Sequence, residues 1–493
     1  MTLKEELTEI VGADNVIDDP GTLEEYSKDS SFVKPLKPMC VVKIKGDDDP
    51  DKTHEEIEAV VKWANDTLTP LIPVSSAPPR FRGDTIPNVG GAVVVDMSQM
   101  NRIIHVDYKE RVALVEPGVT FDQLTPALAK EGLRPFMPLM PRSSKSVVGS
   151  YMEKEPILQP RHHWESQDPV LNTMQILGSG DMIKMGSADM YTLQEQWAQK
   201  KAQKWFNMTQ FNTIKVAQGS QGTIGITCWL SMKCAMMPEI HELLLVPSED
   251  PEALIDLAYK VLRYRWGEEL FILNDYTLAS IMAENQEDIN ALRGYLPPWT
   301  LLIGVAGFVY YPEERVKAQQ ADIEELAGNC GLRIGEWVPD VRGDDILKAL
   351  YEPSNGVPYK LRNKGGCEEL FFVSTLDKVE GFIGDIYSLA SSHRYPNTDL
   401  GVYIQPMIQG CCCHCEFDFP FDPEDPKESE RVRKIVDEGS ELLANKGALF
   451  TRPYGKWSDV AYRHMNAQEL TALKKTKHIF DPNNIMNPGK LCF

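Results

Sequence analysis

Apolar positions along the chain follow two rhythms. At three- and four-residue spacing in Leu3–Val11 and in His54–Asn65 (Ile57, Val60, Val61, Trp63) they predict amphipathic helices. Short runs rich in β-branched residues predict strands at Met39–Ile44, Thr69–Val74, Ala92–Met97, Ile103–Val106 and Val112–Glu116. Turns such as Asp18–Gly21 and Pro117-Gly118 separate them. With helices predicted over Thr22–Tyr26 and Phe121–Glu131, residues 1–135 alternate the two element types in an α+β arrangement. TIGITCWLSMK (223–233) predicts a further strand, and Gln194–Trp205 a polar helix on the surface. After Pro238 strands are expected in HELLLVP, LFILND, TLLIGVAGF, GCEELFFVST and GVYIQPMIQGCCCHCEFDFPF. Helices at Pro251–Arg265, at Pro312–Ala327 and from Lys378 alternate with them.

A chain of 493 residues exceeds a single core, so two or three domains are expected. Apolar and charged contents of 42% and 25% are those of a globular protein. The net charge of −21 argues against nucleic acid and anionic membrane surfaces as partners. No run approaches the roughly 20 apolar residues of a membrane span, and the N-terminus lacks a signal-peptide core, so a cytoplasmic location is expected. Ten cysteines in this length make no disulfide scaffold, and four of them crowd into 411–415.

The Thr69–Val74 run leads into PVSSAPPRFRGDTIP (73–87), a turn of small residues and prolines with Arg80, Arg82 and Gly83. Such a loop can aim backbone N–H groups at a phosphate, or be a plain turn; Pro78 and Pro79 have no N–H to offer. Its context decides. The loop, VVVDMS and MNRIIHVDYKERVALVEPGVTFDQLTPALAKEGL together resemble the FAD-binding domain of the vanillyl-alcohol oxidase and p-cresol methylhydroxylase superfamily. SVVGS (146–150), GSQGTIGI (219–226) and FDPNNIMNPGK (480–490) match three more of its motifs in order. The last is close to the ending of the glycolate and D-lactate dehydrogenase branch.

The resemblance implies a two-subdomain PCMH-type FAD-binding domain over 1–237, an α/β substrate cap with an antiparallel sheet over 238–450, and a return to the FAD domain over 451–493. It implies FAD held by the loop residues Ser75, Ser76, Arg80, Phe81, Arg82, Gly83 and Asp84. Pro117, Pro141, Ser146, Val148 and Gly149 would lie along the cofactor, with Gly222, Ile224 and Lys490 closing it. Glycine there lets backbone approach an extended dinucleotide closely.

In the phenol-oxidising branch a tyrosine stands in place of Arg82, an aspartate near flavin N5 in place of Arg142, and a Tyr-Arg pair in place of Thr451-Arg452. Three arginines converging on one pocket would suit an anionic substrate, since the guanidinium fork holds a carboxylate in two hydrogen bonds. Alternatively, Arg82 and Arg142 serve the pyrophosphate or nearby acids such as Asp84. CCCHCE (411–416) occupies the place of a metal-binding GHxGDGNxH motif of the hydroxy-acid branch. On a strand Cys411, Cys413 and Cys415 share one face and Cys412, His414 and Glu416 the other, so a metal at Cys411, Cys413, His414 or Cys415 would need ligands from elsewhere. Packing of small thiols, with His414 facing the flavin, is the favoured reading. The adjacent His162 and His163 suit a surface or cofactor-lining role better than a metal pair.

The implied reaction is hydride transfer from a small hydroxy acid or alcohol to FAD. His414 or Tyr454 would be the base, with Arg452 and Arg142 orienting substrate. Electrons would pass to an iron–sulfur or electron-transfer flavoprotein partner, and a homo-oligomer is expected. The alternatives are an aromatic alcohol or alkylphenol oxidase and a non-catalytic FAD electron relay.

Overall fold

The computed structural model describes residues 2–47, 49–165, 168–185, 212–353 and 356–493. The polar helix expected over 194–205 lies outside them. The N-terminal helix Leu3–Val11 opens on a capping box in which Thr2 and Glu5 satisfy each other's backbone N–H groups. The helix Pro50–Thr67 starts on the Asp49 cap and stops at Leu68, which takes the left-handed conformation. Packed on these helices is a four-stranded sheet ordered Val16–Ile17, Cys40–Lys45, Val93–Gln99, Leu71–Val74. Its last three strands are parallel. A parallel sheet is covered on both faces, and Val93, Val94 and Val95 are accordingly all buried.

A five-stranded antiparallel sheet follows, ordered Ile103–Asp107, Val112–Val115, Gly225–Lys233, Val170–Leu177, Met182–Met185. The third sheet has six antiparallel strands, in the order Ile240–Ser248, Trp299–Gly307, Leu270–Asn274, Gly401–Met407, Cys412–Phe421, Gly366–Ser374. The run 401–421 is therefore two strands, reversed through Gln409 and Gly410, both at positive φ. SVVGS is likewise no simple turn: Ser146 caps a short helix, Val147–Met152, by accepting from Gly149 N–H. The second helix begins at Pro20, two residues before the expected Thr22, because Asp19 caps it there.

The two faces of the six-stranded sheet carry different cores. Leu244, Val246, Ile272, Leu301, Ile404 and Phe417 pack with the helices Glu252–Arg263, Pro312–Gly328, Val379–Ser392 and Pro426–Asn445. Leu243, Leu245, Phe271, Leu273 and Leu302 pack instead with Val115, Phe121 and Val148 of the N-terminal half. Strand period two thus separates a helix-facing side from a side that closes over the FAD-loop sheets. The chain's end completes the first sheet: Leu71 bridges to Met486, and the Asp481 carboxylate, paired with Lys477, accepts from the N–H groups of Ile485 and Met486.

One polar joint crosses that closure. Arg134 lies between Glu268 and Glu269, at 2.8 and 3.1 Å, with all three side chains buried. Arg161 and His162 also reach Glu268, and His241 reaches Glu269 at 2.7 Å. His162 is thus a structural partner, and neither His162 nor His163 lines the cavity described below. Burial opposes the charge on Glu268, yet the His162 hydrogen bond and the Arg134 and Arg161 charges bring its pKa down to about 2 from 4.5. A depressed carboxylate stabilises the fold above its unfolded value of 4.5, and that contribution fades as pH falls through about 2. Arg134→Met removes the central cation and leaves two buried carboxylates, at an expected cost of about 3–5 kcal/mol. In urea titrations the variant should unfold at clearly lower denaturant, and because its Glu268 carboxyl is less depressed, the further loss of stability between pH 4.5 and about 2 should be smaller than in the parent.

Candidate functional site

A cavity of about 250 Å³ lies where the six-stranded sheet closes over the N-terminal sheets. The end of the Leu71–Val74 strand delivers Ser75, Ser76, Arg80, Phe81, Arg82 and Asp84 to its wall. Pro117, Pro141, Arg142, Val148 and Gly149 line it from the same half, with Gly222 from the glycine-rich turn. His414 and Arg452 line it from the other side. Gly83, Ser146, Ile224, Lys490 and Tyr454 do not reach it. They act behind it: Ser146 accepts from Gly149 N–H, while Lys490 donates to Gly83 O at 2.6 Å, and burial lowers its pKa to about 8. Ile224 is core, and Tyr454 sits beneath the Arg82 guanidinium with its hydroxyl unpaired.

The three arginines expected to converge do so, but not as three free cations. Arg82 pairs with Glu155 at 2.7 Å, Glu369 at 3.2 Å and Glu153 at 3.3 Å. Burying a guanidinium requires counter-charges, and here they are carboxylates of the protein itself. Arg142 donates to Ala77 O and stacks over Phe81; burial lowers its pKa to about 10. Arg452 lies over the Phe371 ring at 4.2 Å, with Nη1 buried and unpaired.

Arg82 belongs to a chain of alternating charge. Lys145 contacts Glu153 and Glu155 at 3.0 and 3.3 Å. Glu369 joins Arg82 to Lys360, which is 2.7 Å away. Lys360 also pairs with Glu416, and the other Glu416 oxygen lies 2.9 Å from His414 Nε2. Burial pushes the His414 pKa below its ordinary 6.5 against the pull of Glu416, so the ring is neutral at pH 7. Despite burial, Lys360 and His414 hold the Glu416 carboxyl well below the usual carboxylate range.

None of Lys145, Glu153, Glu155, Lys360, Glu369 or Glu416 was singled out as a substrate or cofactor contact from sequence. For Glu416 a signal existed, since His414, Glu416 and Asp418 recur at period two on one strand. Lys360, on a 3₁₀ turn, carries none.

The walls fit FAD. Arg80 Nη2 and Arg142 Nε are buried donors without partners beside the loop, suited to a pyrophosphate. The unpaired acceptors Gln175 Oε1 and Asn487 Oδ1 suit the N–H edge of a flavin. The walls do not fit a metal at the cysteine cluster. Cys411 is exposed, whereas Cys413 and Cys415, 3.7 Å apart, are packed in the helix-facing core, away from His414. Among the described residues the one metal-competent cluster is Glu369, Glu416 and Asp418, and the Lys360 ammonium stands within reach of all three.

Residues 52–154 match the model of an FAD binding domain, and residues 346–491 that of the C-terminal domain of FAD linked oxidases. The glycolate oxidase subunit GlcD of Bacillus subtilis (strain 168) is 23% identical, over 99% of this chain and 96% of that protein. The mitochondrial D-lactate dehydrogenase [cytochrome] of Arabidopsis thaliana is 21% identical over 89% and 72%. The D-2-hydroxyglutarate dehydrogenase of Escherichia coli (strain K12) is 24% identical over 81% of this chain and 43% of that protein. The crystal structure of p-cresol methylhydroxylase with substrate bound shares the fold, with a TM-score of 0.81 and 19% identity over 100% of this chain and 96% of that one. With the FAD-loop cavity, the matched domains at both ends and these relatives, the chain belongs to the FAD-linked oxidases, as an FAD-dependent oxidoreductase.

Proposed function

We propose that the protein dehydrogenates a small hydroxy acid or alcohol bearing an anionic group, and that His414 is the base. The observation that carries this is a neutral, carboxylate-oriented histidine and an unpaired buried arginine facing one cavity. FAD, held by the Ser75–Asp84 loop, would supply the two-electron acceptor for a hydride from the carbinol carbon. The chain's own residues do the rest. With Nε2–H directed at Glu416, His414 Nδ1 accepts the hydroxyl proton, and Glu416 stabilises the imidazolium that results. Arg452 holds the anionic end and stabilises negative charge developing on the oxygen.

Relatives of the hydroxy-acid type support this substrate class. The "subunit" and "[cytochrome]" in two of their names support passing electrons to a partner protein. A second reading, oxidation of an aromatic alcohol, is favoured by Tyr359 and Tyr403, which line the cavity near Arg452. The two separate cleanly, since phenolic alcohols with O₂ as acceptor should turn over only under the second.

Anaerobic mixing with a series of 2-hydroxy acids should bleach the flavin with at least one of them. His414→Gln should slow that bleaching by about 10²–10⁴-fold at pH 7. Arg452→Met should slow it by about 10²-fold or more, and Arg452→Lys should not restore it, because an ammonium lacks the planar fork. The rate should fall on the acid side with an apparent pKa below 6.5, because burial shifts His414 downward against Glu416 while Arg452 and Lys360 add to the shift. A His414→Gln variant bleaching at the parental rate would remove His414 as the base.

A further inference from the structure

We propose that Lys360 is a positioning residue whose ammonium takes the place of a divalent cation between Glu369, Glu416 and Asp418 and thereby aims Glu416 at His414. One carboxylate oxygen from each of those three side chains lies within 4.8 Å of the other two. Three such groups, two of them on the Cys412–Phe421 strand and one on its neighbour Gly366–Ser374, are held together by a cation in their midst. Lys360 provides it, 2.7 Å from Glu369, 3.1 Å from Asp418 and bonded to Glu416.

The strand pairing makes the placement specific. Glu369 pairs directly with Asp418, and the Phe371–Glu416 pair comes next along the same face. Lys360 reaches this face from the turn Tyr359–Leu361, its ammonium 5.7 Å from the centre of the Tyr359 ring. An ammonium donates up to three hydrogen bonds and offers no vacant coordination position. It therefore orients the carboxylates without acting as a Lewis acid. Because Glu416 is anchored through one oxygen, its other oxygen is left for His414 Nε2 at 2.9 Å. Glu369 is anchored the same way and passes the constraint to Arg82.

This rests on the reading of His414 as base, and the test separates the two. Lys360→Ala opens a space lined by three carboxylates, so the purified FAD-loaded variant should take up one equivalent of Mn²⁺ in equilibrium dialysis while the parent takes up none. Its flavin bleaching by a reactive hydroxy acid should be slower by about 10–100-fold and recover on adding Mn²⁺. Lys360→Met fills the space with an apolar stem, so it should be equally slow, with little change in the substrate concentration at half-maximal rate, and should not respond to Mn²⁺. Should Lys360→Ala fold poorly, a rise of its melting temperature with Mn²⁺, absent in Lys360→Met, reports the same site. Stoichiometric Mn²⁺ in the parent overturns the proposal, as does parental bleaching by Lys360→Met or indifference of Lys360→Ala to Mn²⁺. Uptake of Mn²⁺ is read without substrate, so failure of every hydroxy acid to bleach the parent would count against the proposed reaction and not against the cation site.

Discussion

The closure of the molecule depends on one constraint: charged groups buried in the seam between the N-terminal sheets and the six-stranded sheet must find counter-charges across it. Lys145, Glu153, Glu155 and Arg82 come from one side, and Glu369, Lys360, Glu416 and His414 from the other. Arg82 and Glu369 are the link, 3.2 Å apart. Lone burial of any of these groups would cost several kcal/mol, whereas apolar residues of similar volume would pack at least as stably. The chain therefore adds little net stability. Its consequence is geometric, because each side chain is fixed by the next.

The same logic recurs at the Arg134 joint, which lies outside the cavity. The two polar networks differ in what their members leave unsatisfied. Arg134 has both terminal nitrogens on carboxylates, and its one unpaired nitrogen, Nε, lies away from the cavity. The cavity network ends on groups that face open space: His414 at one end, and beside it Arg452 with a free Nη1. A seam tied at two places, one closed and one open, holds the halves in register while leaving a place for ligands.

Much of the fold could be read from the chain, because its signals are local. Strand runs, helix periods and capping residues lie within a few positions of one another, and most strands stand within a residue or two of their predicted bounds. The FAD loop was legible for the same reason: its residues are contiguous, and the backbone delivers nearly all of them to one wall. The acids were not legible. In GCEELFFVS, Glu369 looks like the solvent-facing position of an alternating strand, and only the docking of another sheet buries it. Sequence leaves Arg82 either a ligand-binding cation or a partner of nearby acids such as Asp84, because its three actual carboxylates are 71, 73 and 287 residues away. The cysteines of 411–415 drew attention through composition, but period two had already placed Cys413 and Cys415 on the face opposite His414.

What the cavity will accept follows from which charges are left over once internal pairs are made. Arg82, Lys145 and Lys360 are neutralised by Glu153, Glu155, Glu369, Glu416 and Asp418, so they present little field to a ligand. Arg80, Arg142 and Arg452 retain buried nitrogens with no partner. Leaving such donors unsatisfied is costly, and a ligand that brings acceptors relieves the cost. Two of them, Arg80 and Arg142, stand beside the loop, where a pyrophosphate would offer acceptor oxygens to each. Arg452 stands across the cavity beside His414 and has no claim on that pyrophosphate. An anionic group on the substrate is what remains to satisfy it, and this is why the proposed substrate is an acid and not simply an alcohol.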